Sequence, residues 1–251
     1  MTHYVTASDG TDIAYDCMGE GQPVLLIHGF GANRAITWAN TNWYQTLLRA
    51  GRKLIAIDCR GHCESEKPHD PADYDERRMA MDAIAVLADL EIPETDVMGY
   101  SMGAALAIRL MHDAPARVRR AVLGGLSENY FRSRKEMSET IAQGLLAKDP
   151  STIADPVARE FRSFCEKAGD DLQAMAACIR RPRRKLASEE LHALPQKVLV
   201  VCGAEDTMTG LPEKLAAAFQ DGRALVIPKR NHHSTVGDRA FKDAAVAFLA
   251  G

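Results

Sequence analysis

No apolar run in this chain of 251 residues approaches the ~20 residues needed to cross a bilayer, so the sequence offers no helical membrane span. Its start, Met1-Thr2-His3-Tyr4, turns polar within a few residues. It lacks the succession of basic segment, apolar stretch and cleavage site, and a cytoplasmic protein is expected. Among the cysteines Cys17, Cys59, Cys63, Cys165, Cys178 and Cys202 there is no Cys-x-x-Cys pair. Spread in this way they read as reduced thiols and argue against a disulfide frame or a zinc site. Neither sign of charge dominates. The 31 Lys and Arg against 34 Asp and Glu leave a net charge of −3, which provides no field for nucleic acid or anionic lipid. Internal repeats and low-complexity tracts are missing too. What is present is an ordinary globular balance, 46% hydrophobic and 26% charged, in a length that allows one core plus an inserted lid.

The pattern along the chain is one of short apolar runs separated by helical periodicity. Tyr4–Ala7, the turn Ser8-Asp9-Gly10-Thr11 and Ile13–Cys17 predict a β-hairpin. Val24–Ile27, Lys53–Ile57, Thr95–Met98, Arg120–Leu123, Lys197–Val201 and Ala224–Ile227 are too short for helices and fit strands buried on both faces of a parallel sheet. Helical patterns fall between and after them at Trp43–Ala50, Arg77–Leu90, Met102–His112, Glu213–Phe219 and Ala240–Leu249. Alternation of this kind predicts an α/β fold with helices on both faces of the sheet. From Ser127 to Leu191 no strand-like run occurs. Met137, Ile141 and Leu145, then Val157, Phe161 and Phe164, then Leu172, Met175 and Ile179 recur at helical spacing, with Gly169 and Pro182 as stops. A small helical subdomain over 127–191 is expected, with residues 1–126 and 192–251 forming the core.

Gly99-Tyr100-Ser101-Met102-Gly103 lies between a predicted strand and a predicted helix. A serine on so sharp a turn is forced into the open, and small neighbours let the chain turn. The helix N-terminus behind it favours developing negative charge. The motif alone is weakly specific; its placement makes Ser101 the candidate nucleophile. Serine needs a base, and histidine titrates in the right range. His232 and His233 follow the last strand, at the carboxyl end of the sheet where Ser101 also lies, and His232 is the first candidate with His233 its rival. His3, His69, His112 and His192 are expected at the surface. Asp206 follows the strand Lys197–Val201 and is the candidate orienting acid; Glu205 and Glu128 are alternatives that also fit solvated loop positions. Acyl transfer builds charge on the carbonyl oxygen. Backbone N–H groups of Phe30, in His28-Gly29-Phe30-Gly31, and of Met102 can form the oxyanion hole, with His28 as a structural hydrogen-bonding residue.

These motifs together resemble the α/β-hydrolase superfamily over nearly the whole chain. The resemblance rests on His28-Gly29-Phe30-Gly31, Asp58-Cys59-Arg60-Gly61-His62 with Ser65, Gly99–Gly103, Gly203–Asp206 and Asn231-His232. It implies a mostly parallel sheet of about eight strands flanked by helices, with a helical cap between strands 6 and 7, the slot that 127–191 occupies. It also implies the triad order Ser101, Asp206, His232, and Pro228 matches a proline that relatives carry shortly before the triad histidine. Cys63 and Asn231 depart from the family, which usually has glycine at both places. The implied pocket lies between cap and core, lined by Phe30, Tyr100, Met102, Phe161 and Met175. Arg180-Arg181-Pro182-Arg183-Arg184-Lys185, the densest charge cluster, reads as a solvated hinge at the cap's exit, with recruitment of an anionic substrate as the alternative.

The expected activity is hydrolysis of a small-molecule carboxylic ester through an acyl-enzyme, with no metal or cofactor and with no nucleic-acid or membrane partner. Action of the same triad on a carbon–carbon, thioester or amide bond, perhydrolase side activity, or slow turnover as a small-molecule receptor are the alternatives. A serine nucleophile speaks against dehalogenase and epoxide hydrolase, whose counterparts use aspartate.

Overall fold

The computed structural model describes residues 2–251. An antiparallel hairpin, β1 (His3–Thr6) and β2 (Asp12–Met18), leads into β3 (Gln22–Ile27), α1 (Trp43–Arg49), β4 (Arg52–Ile57), α2 (Glu76–Asp89), β5 (Thr95–Tyr100), α3 (Met102–Asp113) and β6 (Val118–Gly124). Helices α4 (Lys135–Leu146), α5 (Pro156–Ala168), α6 (Leu172–Arg180) and α7 (Ser188–His192) then intervene. The chain closes with β7 (Lys197–Gly203), α8 (Glu213–Ala216), β8 (Asp221–Ile227), α9 (His232–Thr235) and α10 (Arg239–Ala250).

All eight strands form one sheet in the order β1-β2-β4-β3-β5-β6-β7-β8. β2 runs antiparallel to β4, and every later pairing is parallel. Side chains alternate across a strand, so a strand covered on both sides must be apolar at successive positions. Leu25, Ile27, Ile55, Ile57, Val97, Leu123, Val198 and Val200 enter one core with residues of α2 and α3. Their neighbours Val24, Leu26, Leu54, Ala56, Met98, Val122, Leu199 and Val201 enter a second core with residues of α1 and α10. This is why the predicted runs were continuous instead of alternating.

The helices between β6 and β7 carry an apolar cluster of their own. Ile141 and Leu145 of α4, Cys165 of α5, and Ala174, Met175 and Ile179 of α6 are buried together. Aspartates start two of these helices: Asp155 accepts from Ala158 N–H, and Asp171 accepts from Gln173 and Ala174 N–H. Gly169 ends α5 in the left-handed conformation, as its position predicted. One predicted element is cut short. The helix expected over Glu213–Phe219 stops at Ala216, because β8 begins at Asp221 opposite Lys197 and the chain must turn before it.

Candidate active site

Parallel strands deliver their carboxyl ends, and the loops that follow, to one edge of the sheet. β5 ends at Tyr100, and Ser101 turns the chain into α3 with φ 55° and ψ −110°. A non-glycine residue held there is strained, and it persists only where the surroundings over-determine it. They do so by close approach: a Cβ on Gly99 would fall 2.2 Å from the carbonyl oxygen of Gly103, and one on Gly103 would fall 2.0 Å from that of Ile27. Both flanking glycines are therefore required by contact. Ser101 N–H donates to Gly124 O at 2.8 Å, which ties the elbow to the end of β6.

Asp206 follows β7 with its side chain fully buried. Its Oδ2 lies 2.8 Å from Nδ1 of His232, and its Oδ1 accepts from Met208 N–H at 3.0 Å. Burial works to raise the Asp206 carboxyl, but the His232 hydrogen bond and charge, with Thr209 and the Met208 N–H, hold it below the usual range. His232 thus presents Nε2 away from Asp206. The ring lies beside Gly125, where an added Cβ would come 3.0 Å from His232 Cε1, and the preceding Gly124 holds Ser101 N–H. Among the described residues no hydrogen bond joins Ser101 to His232; contacts of this kind commonly tighten only with substrate present. His233 points elsewhere. Its side chain is 59% exposed, 3.5 Å from Glu160 and against the Phe164 ring of α5. Glu205 is exposed, and Glu128 is engaged by Arg132 at 2.6 Å.

Asn231, a departure from the family, has a local reason. It is the N-cap of α9, with its side-chain oxygen accepting from His233 and Ser234 N–H at 3.1 and 2.9 Å. At Cys63 the backbone keeps the left-handed conformation that a glycine would adopt freely, with φ 45°. Burial and the nearby Asp58 push its thiol up to about 11, away from the thiolate form that reactivity needs.

The loop after β3 is held by two buried imidazoles. Cys59 N–H donates to Nε2 of His28 at 2.9 Å, and Gly31 N–H donates to Nε2 of His62 at 3.1 Å. Each ring must therefore carry its proton on Nδ1, which lies 2.7 Å from Gly29 O in His28 and 3.0 Å from Arg60 O in His62. Burial keeps both neutral, drawing His28 down to about 4 and His62 to about 3. His28 is structural, as expected; His62 is its equal, a role that its motif signalled only as resemblance. The loop so fixed lies against the nucleophile, since a Cβ on Gly29 would come within 3.4 Å of Ser101 Cβ.

Of the residues expected to line a pocket, Phe30 and Phe161 pack against the apolar cluster that holds Met175. Phe30 and Phe161 meet edge to face at 5.7 Å, and Met102 touches Cys178 of α6, sulfur to sulfur at 3.9 Å. Tyr100 packs on His232, with ring centroids 5.5 Å apart, and its hydroxyl donates to His232 O. Met175 is fully buried in the apolar cluster that α4, α5 and α6 share. Helical spacing marked it as buried without saying against what. The hinge reading of Arg180–Lys185 also needs correction, because Arg181 is only 6% exposed and Arg183 is half-buried. Two surface clefts, lined by Leu87, Ile92 and Arg117 and by Asp9, Arg60 and Arg78 among others, include none of these residues. Among the described residues no group of three His, Cys, Asp or Glu is arranged to hold a metal ion, and no helix is long and apolar enough to cross a membrane.

The sequence is 33% identical over 225 residues to 2-hydroxymuconate semialdehyde hydrolase of Pseudomonas sp. (strain CF600), covering 82% of this chain and 78% of that protein. A hydrolase from Pseudomonas aeruginosa PA01 superposes with a TM-score of 0.83 at 25% identity, covering 100% of this chain and 98% of the other. An esterase from Exiguobacterium antarcticum shares the fold with a TM-score of 0.81 at 21% identity, over 100% of both chains. Residues 24–245, running from β3 into α10 and so including the elbow, Asp206 and His232, match the alpha/beta hydrolase family, and the chain belongs to that family.

Proposed function

We propose that the protein is a serine hydrolase that cleaves a carboxylic ester through an acyl-enzyme at Ser101. The observation that carries this reading is the 2.8 Å contact between Asp206 and His232 Nδ1, which leaves Nε2 free for a proton, at the same sheet edge as the strained elbow at Ser101. In this mechanism Nε2 takes the Ser101 proton as Oγ bonds to the acyl carbon, and the buried Asp206 carboxylate stabilises the imidazolium that forms. The backbone N–H groups of Phe30 and Met102 receive the oxyanion. Collapse expels the alcohol with the proton from His232. Water, deprotonated by the same nitrogen, then releases the acid. The helices α4–α7 serve as a cap over 127–191, with Phe161 facing Phe30 at the seam.

A panel of p-nitrophenyl esters from acetyl to dodecanoyl tests this with the wild type, Ser101→Ala, His232→Ala and His233→Ala. Turnover by the wild type and His233→Ala alone is expected; equal turnover by Ser101→Ala would refute it. A second reading, cleavage of a carbon–carbon bond beside a carbonyl, is favoured by the identity with 2-hydroxymuconate semialdehyde hydrolase. It predicts an enzyme inert to simple esters whose Ser101 still reacts with a fluorophosphonate.

A further inference from the structure

The segment that leaves β6 is hydrogen-bonded to the loop of the triad acid. Ser127 is fully buried, and its hydroxyl donates to Thr209 O. Asn129 is 7% exposed, and its backbone N–H donates to the same oxygen at 3.3 Å. Both ends of its side chain are also in use. Oδ1 accepts from Ser127 N–H at 3.1 Å, and Nδ2 donates to Met208 O at 2.9 Å. The amide cannot be reversed, since a flip would set N–H against N–H and oxygen against oxygen. Leucine or aspartate, of similar size, would lose at least one of the two bonds. The segments also touch: a Cβ on Gly210 would fall 2.9 Å from Glu128 Cγ.

Met208 is the residue through which these bonds reach the chemistry. Its N–H donates to Asp206 Oδ1 at 3.0 Å while Asn129 holds its carbonyl. The other oxygen of Asp206 faces His232 Nδ1 at 2.8 Å. The terminal torsion of an aspartate is soft, so a donor on the second oxygen sets the plane in which the first meets the imidazole. Within the loop the bonds are short in range, Asp206 N–H to Gly203 O at 3.1 Å and Gly210 N–H to Asp206 O at 3.3 Å. The carbonyls of Met208 and Thr209 are met from outside it by Ser127, Asn129 and, at 3.4 Å, Arg134.

We propose that Asn129 is a positioning residue for the triad: by holding Met208 O it keeps Met208 N–H on Asp206 Oδ1 and so fixes the carboxylate against His232. This rests on the reading of Ser101, His232 and Asp206 as the catalytic groups. Asn129 bonds to none of the three and acts at two removes. It also stands in the entry to the helices α4–α7. Tyr130, next in the chain, accepts Leu186 N–H on its hydroxyl at 2.9 Å, which ties that entry to the exit. The orientation of the acid is thereby joined to the seating of the inserted helices.

The test compares the wild type with Asn129→Ala and Asn129→Asp on p-nitrophenyl acetate. Asn129→Asp retains the acceptor for Ser127 N–H and loses only the donor to Met208 O. Both variants should lower kcat about ten- to hundredfold with KM changed less than about threefold, the scale of a misplaced catalytic group. A role in stability alone would lower Tm and leave kcat intact wherever the chain is folded. Amide exchange of Met208 N–H gives a reading that needs no substrate. It should quicken at least about tenfold in both variants, while Gly125 N–H, bonded to Val201 O at 2.9 Å, keeps its wild-type rate. An undiminished kcat, a loss seen in KM alone, or an unchanged exchange rate at Met208 would each overturn the proposal. If Asn129→Ala does not fold, Asn129→Asp decides by the same readings. If the wild type cleaves no ester, the ester reading fails separately. The rate at which a fluorophosphonate labels Ser101 and the exchange at Met208 then decide the positioning role.

Discussion

Arginine is buried in two regions of this molecule on different terms. In the sheet Asp96 accepts from Arg52 and from Nε and Nη2 of Arg119, the latter at 2.9 and 2.6 Å. In the loop after β4, Arg60 grips Asp82 with two parallel bonds of 2.7 and 2.6 Å and holds Asp9 at 2.9 Å, while Arg34 is clamped on Asp58. At the exit of α6, Arg181 and Arg183 meet the carbonyls of their own helix and leave a donor idle. The paired arginines fix backbone: Arg34 and Arg60 brace the turn that carries His62, and through it the loop beside Ser101. Beyond those carbonyls Arg181 has Glu76 at 3.7 Å, a looser partner than Asp82 is for Arg60. A buried cation is therefore informative mainly through what accompanies it.

Several experiments can sharpen or break this contrast. The largest effect belongs to the sheet edge, where Ser101→Ala and His232→Ala should each lower kcat by about 10⁴-fold or more on every substrate, whatever its charge. Steady-state kinetics on an anionic and a neutral ester check this, and a loss confined to one of them would move the chemistry out of the sheet. Next comes the paired network. Asp96→Ala strands Arg52 and Arg119 and should cost about 3–5 kcal/mol, a fall in Tm of roughly 6–20 °C. Thermal unfolding measures it, and a loss below about 1 kcal/mol would mean that these ion pairs do not hold the sheet edge.

Asp170, at the end of α5, probes the same question with the opposite charge. It is 9% exposed, neither oxygen has a hydrogen-bond partner, and burial raises its carboxyl to about 7. A raised acid favours the folded state while protonated, so its contribution is lost as pH climbs from about 4 toward 7. Asp170→Asn should therefore stabilise the protein at pH 8, on the order of a few kcal/mol, with little gain at pH 5. A gain independent of pH would assign the effect to something other than that proton. Smallest of all, His233→Ala should change kcat/KM less than about threefold, since its ring contacts Glu160 and Phe164, not Asp206.

How much of this was legible beforehand depends on how local the cause is. The elbow and the strands were readable because contiguous residues impose them: Gly99 and Gly103 are forced by contacts within one turn or with the adjoining strand. Asn231 looked like an anomaly until α9 revealed it as a cap. Met175 shows the limit of periodicity: helical spacing marks it as buried, while the neighbours that bury it, Ile141, Leu145 and Cys165, come from other helices. The charge run at 180–185 was misread as solvated for a related reason. Whether it faces water depends on Glu76 and Arg134, which are far off in sequence, and Arg134 belongs to no motif.

The two imidazoles that hold the loop beside Ser101 carry a consequence for acid. An unfolded histidine accepts a proton near pH 6.5, whereas burial holds His28 at about 4 and His62 at about 3. Between those values the unfolded chain binds protons that the folded chain refuses. Stability therefore declines as pH drops below 6.5, by up to about 1.4 kcal/mol per unit for each ring, and the decline ends only at their folded-state values. Neither ring can yield quietly, because a proton on Nε2 would evict the N–H of Cys59 or Gly31. Mild acid thus loosens the loop after β3, which lies against Ser101.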